Sequence, residues 1–253
     1  MQTTDILQSI FRWFHVVAGV LWIGLLYYFN FVNGAFAATM DGETKKKVVP
    51  QLMPRALFWF RWGAAWTWFT GILLAMLVFY HGGTLFEGSV NWQVPTFAMI
   101  AVTFFGFIIY DIIMKALGTK NLKAAVVLCF LLLAGVLYLM GHWAGWSYRG
   151  YTIHIGALLG TIMAFNVWFR IWPSQKQIIT AVRDGQAPDP KVVALAGLRS
   201  RQNTYMSVPL IWTMINAHTT WASTWWWSLL IVIVFGWIGT YHLLKKATKV
   251  PGF

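Results

Sequence analysis

Six histidines and one cysteine carry most of the chemistry this sequence could do. Neutral imidazole is the commonest side-chain ligand of metals and of haem iron, so the histidines are where a redox or metal centre would be built. His15 and His154 form the foremost pair. Their neighbours Gly19 and Gly156 would let a flat ring or another helix approach closely. His142 and His218 form a second pair, and His81 and His242 read as hydrogen-bonding residues at helix ends. With Cys129 the single cysteine, there is no intrachain disulfide and no thiolate cage. The attachment pattern C-x-x-C-H is absent, so a haem here would be b-type and non-covalent. Arg61, among Trp59, Trp62, Trp66 and Trp68, has two readings. One is a snorkelling arginine in an aromatic belt; the other is a cation that binds an anionic group such as a haem propionate or a quinone-like ligand. Asp111, Tyr110, Asn30 and Asn166 could join it in a polar inner cluster, where a buried Asp–Arg pair serves structure as readily as proton transfer.

The elements that would position these residues are transmembrane helices. Of the 253 residues, 58% are hydrophobic, 18% aromatic and only 10% charged, against a soluble norm of about 25% charged. A span needs roughly 20 apolar residues at about 1.5 Å each. Such runs fall at Phe11–Phe31, Leu57–Tyr80, Pro95–Met114, Leu122–Gly141, Thr152–Trp172, Tyr205–Thr219 and Trp225–Leu244. The sixth is short and interrupted by Pro209, and Pro173 to Thr204 is expected to be a polar loop with room for one short amphipathic helix. The first run is too long and too aromatic for a signal peptide. The expected fold is an all-α, polytopic transmembrane bundle of about seven helices, a single transmembrane domain over residues 1–253.

Charge sets the expected orientation. Lys45, Lys46, Lys47 and Arg55 follow the first run; Lys115, Lys120 and Lys123 follow the third; Lys176, Arg183, Lys191, Arg199 and Arg201 follow the fifth; Lys245, Lys246 and Lys249 follow the last. Of the alternate connections, only the one between the fourth and fifth runs carries a basic residue, Arg149. By the positive-inside rule the N-terminus lies outside and the C-terminus in the cytoplasm. The net charge of +12 therefore reflects basic loops beside a lipid bilayer, not a nucleic-acid surface. This topology puts His15, His81, His142, His154 and His218 toward the outer side and His242 toward the inner. The run Trp225, Trp226, Trp227 reads as interfacial anchoring.

The residues also carry a resemblance. RWFHVVAGVLWIGLLYYFNFVN at Arg12–Asn33, WFRWGAAWTWFTGILL at Trp59–Leu74, RGYTIHIGALLGTIMAFNVWFRIWPSQKQII at Arg149–Ile179, APDP at Ala187–Pro190 and RSRQNTYMSVPLIWTMINAH at Arg199–His218 resemble the N-terminal membrane domain of bacterial membrane-bound urate oxidases. In that family the domain is followed by a further helix and an outward-facing c-type cytochrome. The resemblance implies urate oxidation in the bacterial inner (plasma) membrane, with electrons passed to the respiratory chain. This sequence stops after the last apolar run and has no haem-attachment cysteines, so a stand-alone domain is expected, with a separate c-type cytochrome or respiratory complex docking on the outer face. HVVAGVLWIG in the first run is also similar to the first helix of copper-resistance membrane proteins and a haem-linked protoporphyrinogen oxidase.

The expected function is thus a membrane oxidoreductase or electron-transfer subunit with one or two b-type haems near the outer surface, using His15, His154, His142 and His218 as axial ligands. Two alternatives stay open. A copper-handling protein would use the same histidines with methionines, yet the ten Met are scattered without an M-x-x-M ladder. A structural subunit of a respiratory complex would need none of the histidines.

Overall fold

The computed structural model describes residues 3–89 and 91–251. The described residues form eight helices: α1 (Thr3–Thr39), α2 (Gly42–His81), α3 (Val94–Ala116), α4 (Leu122–His142), α5 (Tyr148–Arg183), α6 (Pro190–Ile215), α7 (Thr220–Ser223) and α8 (Ser228–Ala247). They contain no strand; Phe86 and Trp146 make one isolated antiparallel bridge. The fold is an all-α helical bundle.

Six helices, α1 to α5 and α8, are long and apolar enough to cross a membrane. Their exposed surface supports that use. α3 exposes Phe97, Phe105, Ile109 and Ile112, and α4 exposes Val127 and Leu131, whereas α6 buries Asn203, Thr204 and Ser207 completely. Large apolar residues outside and small polar ones inside suit a lipid solvent, where helices associate through close packing and interhelical hydrogen bonds. α5 is the core helix, with 67% of its most apolar window buried against 11% for α1.

The expected polar loop from Pro173 to Thr204 is instead mostly helix. α5 runs on to Arg183, and α6 begins at Pro190, well before the expected start at Tyr205. The reason is local: Asp189 accepts from the Lys191 amide at 2.8 Å through Oδ1, and Pro190 occupies the first helical position, where a missing N–H costs nothing. Its charged first half keeps α6 out of the six apolar spans.

Three helices widen into π-helical turns, at Tyr28–Asn33, Ala75–His81 and Val167–Ile171. The last has an evident cause. Pro173 cannot donate to the carbonyl of Phe169, the turn opens so that the Trp172 amide reaches Val167, and Arg170 Nη1 donates to the Phe169 carbonyl at 3.1 Å.

The chain divides into two compact units. The first comprises the chain up to Ile72, Met163–Ser207, and everything from Gly236 onward; the second comprises Leu73–Ile162 and Val208–Phe235. In the first, α1 packs on α2 through small residues. A Cβ on Gly63 would stand 3.2 Å from the Trp22 backbone nitrogen, one on Gly71 would stand 3.1 Å from His15 Cε1, and Gly19 faces Thr67. Gly63, Thr67 and Gly71 recur every fourth residue, the small-residue stripe that lets helix backbones approach. In the second unit, α5 lays Gly156 against Thr213 and Met214 and Gly160 against Leu210. Ser147 N-caps α5 by accepting from the Gly150 amide at 3.0 Å, while its hydroxyl also donates to the Thr84 carbonyl at 3.0 Å.

Candidate functional site

His15 lies in the first unit, half-buried on α1. Its Nδ1 is 3.2 Å from Thr70 Oγ1, and that hydroxyl sits 2.6 Å from the Trp66 carbonyl. A threonine has one hydroxyl proton, and the shorter bond to a carbonyl takes it. Thr70 must then accept from His15, which places the imidazole proton on Nδ1, and the Thr67 backbone is a further hydrogen-bond partner of the ring. A histidine whose second nitrogen is oriented in this way is prepared as a ligand. The glycine reading of the sequence resolves here in favour of a helix: Gly19 admits α2, and Gly71 opposite admits the imidazole.

His154 lies in the second unit, 1% exposed. Its Nδ1 is 2.7 Å from the Gly150 carbonyl, which can only accept, so Nδ1 carries the proton and Nε2 accepts from the Tyr80 hydroxyl at 2.9 Å. Trp146 (4.5 Å between centroids), Tyr80 (5.6 Å) and Phe79 (5.7 Å) enclose the ring. Gly150 holds its position against Leu85, whose carbonyl would lie 2.5 Å from an added Cβ. Both nitrogens of His154 are engaged, so it fits an axial role only after parting from Tyr80.

The second histidine pair is exposed. His142 ends α4 with its ring 4.4 Å from Tyr138 and 6.2 Å from Trp226, and His218 sits in the turn after α6. His81 and His242 are exposed too. Among the described residues no three His, Cys, Asp or Glu side chains converge as a metal cage. A haem would need only one imidazole nitrogen from the chain, and His15 is the histidine that would hold it.

Of the expected polar inner cluster, Asn30 and Asn166 bond to residues of α6. Asn30 donates to Ser200 Oγ and to the Leu26 carbonyl, both at 2.9 Å; Asn166 donates to Asn203 Oδ1 at 2.9 Å, and Asn203 donates to the Met163 carbonyl at 2.9 Å. Ser207 donates to the Thr204 carbonyl at 2.8 Å and therefore accepts from the Tyr27 hydroxyl at 3.0 Å. Asp111 pairs with Lys115 at 3.0 Å along its own helix. Arg61 instead stacks on Trp172, 3.9 Å from the ring centroid, with Trp168 and Phe58 at 5.8 and 5.7 Å. The residue the sequence reading missed is Arg199, counted there as a loop charge and found 1% exposed on α6. The spacing of Arg199, Asn203 and Ser207, one every fourth residue, was the available signal for a polar helix face.

Neither a curated protein nor a solved structure matches this chain. The family comparison does match, through the model described as "Urate oxidase N-terminal", and it covers residues 1–250. The ordered helices, the His-bearing segments of α1 and α5 and the polar face of α6 all fall inside that match, and the chain belongs to the urate oxidase N-terminal family.

Proposed function

We propose that this protein is a bacterial inner-membrane oxidoreductase subunit that holds one b-type haem through His15. The observation that carries the reading is the His15–Thr70 hydrogen bond, which supports an imidazole proton on Nδ1 and so Nε2 as the ligating nitrogen. When bound, a b-type haem supplies a one-electron relay. Thr70 orients the ligand, Gly71 gives the imidazole room, and the small-residue seam between α1 and α2 keeps both in place. The family name supports urate as the electron donor. Basic connections after α1, α3 and α5 support an N-terminus outside, which puts His15 toward the outer face, where a c-type cytochrome would accept the electrons. His154, closed off by Tyr80 and Trp146, serves as a packing and hydrogen-bonding centre of the second unit.

The test is the visible spectrum of purified protein supplied with haem, oxidised and dithionite-reduced, with a pyridine haemochrome assay. Sharp reduced α and β bands are expected in the wild type and in His154→Ala, and are expected to vanish in His15→Ala. A colourless wild-type preparation with full helical content refutes the proposal, and bands that survive in His15→Ala refute the ligand assignment. If bands appear as expected, urate-dependent reduction of an added c-type cytochrome is the assay that follows.

A further inference from the structure

Arg61 is a cation with a built environment and no carboxylate partner among the described residues. It lies on α2, and its backbone carbonyl accepts from Trp168 Nε1 at 3.1 Å, which locks the indole beside it. The guanidinium stacks on Trp172 at 3.9 Å and is flanked by Trp168 and Phe58. Its Nε is buried and has no hydrogen-bond partner. Arg55 donates to Gln51, Arg170 to the Phe169 carbonyl and Arg183 to Asp184, whereas Arg199 Nε and Nη1, like Arg61 Nε, are buried and make no hydrogen bond. Arg61 makes no ion pair among the described residues. A second cation shares its aromatic platform, since Lys176 Nζ lies 5.8 Å from the same Trp172 centroid and has no carboxylate partner there either. All these residues belong to the first unit.

Two like charges on one indole repel each other, and the aromatic rings around Arg61 strip part of the water from its guanidinium. Cation–π contact of about 0.5–2 kcal/mol offsets part of that cost but leaves the buried Nε–H of Arg61 without an acceptor. The group that satisfies such a fork is a phosphate or a carboxylate, bound bidentately. Trp59 and Trp62, 56% and 41% exposed, place the middle of α2, where the apolar run Leu57–Tyr80 begins, in an aromatic belt, the depth at which lipid phosphates stand. Lys45, Lys46 and Lys47 precede it in the sequence, the basic signature of a cytoplasmic leaflet rich in anionic lipid.

We propose that Arg61 and Lys176, bridged by Trp172, form a binding site for the phosphodiester of an anionic membrane lipid. The guanidinium grips the phosphate, the ammonium closes its other side, and Phe58 lines the entry for the first methylenes of the acyl chain.

The test is native mass spectrometry of the detergent-purified, delipidated protein titrated separately with phosphatidylglycerol, with phosphatidylcholine of matched chains and with inorganic phosphate. The expected result is a preference for phosphatidylglycerol over phosphatidylcholine that falls roughly fivefold or more in Arg61→Gln, and by a smaller factor in Lys176→Gln. Lys120→Gln, in the turn between α3 and α4, should leave it unchanged. No preference in the wild type overturns the proposal. So does a preference retained in both Arg61→Gln and Lys176→Gln, or displacement of the lipid by equimolar inorganic phosphate. Should Arg61→Gln lose helical content, Arg61→Lys and Trp172→Leu decide in its place, and a full preference in both overturns the site. Loss of haem bands in Arg61→Gln with lipid preference intact overturns the proposal in favour of a propionate ligand.

Discussion

Replacing Thr70 by valine isolates one bond on which the His15 argument rests. Valine keeps the branched shape and deletes the hydroxyl that accepts from His15 Nδ1 at 3.2 Å. Interhelical hydrogen bonds in membranes average about 0.6 kcal/mol and reach about 1.7, and a donor stranded in a half-buried place adds to the loss, so about 1 kcal/mol is expected. That energy is also the bias toward the Nδ1-protonated tautomer, about fivefold at room temperature. Nitrogen-15 NMR of histidine-labelled protein in nanodiscs should show His15 protonated on Nδ1 in the wild type. The Thr70→Val variant should shift toward the other tautomer and unfold more readily in a reversible detergent titration, while Thr70→Ser should behave as wild type. Finding His15 protonated on Nε2 in the wild type, or an unchanged tautomer in Thr70→Val, would refute the hydrogen-bond assignment and with it the reason for choosing His15 as ligand.

Other consequences follow from the packing and the caps. Gly63→Ala should destabilise the protein by about 1–3 kcal/mol in the same titration, because the added Cβ meets Trp22 backbone at 3.2 Å, and backbone cannot swing aside. Gly160→Ala should cost less, since it meets only the terminal Cδ1 of Leu210 at 3.2 Å. Asn203→Ala removes the hydrogen bonds from Asn166 Nδ2 and to the Met163 carbonyl, and a loss of about 1–2 kcal/mol is expected, with Asn203→Asp a check that shape alone does not rescue it. Asp189→Ala removes the α6 cap and should cost about 1 kcal/mol, seen as faster hydrogen exchange at Lys191 and its neighbours. Asp41 caps α2, and its carboxyl is held below the usual carboxylate range chiefly by the Thr44 amide, which donates at 2.7 Å. Because its folded pKa is depressed, this stabilisation is complete above the unfolded pKa and disappears as pH falls through the folded one; Asp41→Asn should abolish the pH dependence of exchange at Thr44.

Among the individual elements, the sequence was most legible where one residue type dominates a long stretch. α3 and α4 were expected at Pro95–Met114 and Leu122–Gly141 and are found at Val94–Ala116 and Leu122–His142, because a predominantly apolar run of that length has one stable form in lipid. α6 was the least legible. Its first half is charged, so hydropathy assigned it to a loop, although Asp189 and Pro190 mark a helix start and Arg199, Asn203 and Ser207 mark a polar face. Hydropathy sees the average around a helix, while a polar stripe buried against Tyr27, Asn30 and Asn166 is a property of one face.

The sequence alone determined the solvent, the helical class and the family, since composition, span length and ordered motifs are local properties of the chain. It also placed His15 and His154 inside helices and surrounded Arg61 with aromatics. Only the tertiary structure decided what each of these groups touches. Thr70 lies 55 residues from His15, Tyr80 lies 74 from His154, and Trp168 lies 107 from Arg61. Hydrogen bonds and stacking act over a few ångströms, and which side chains come within that range is set by how small residues such as Gly63, Gly71 and Gly156 let distant helices close on one another.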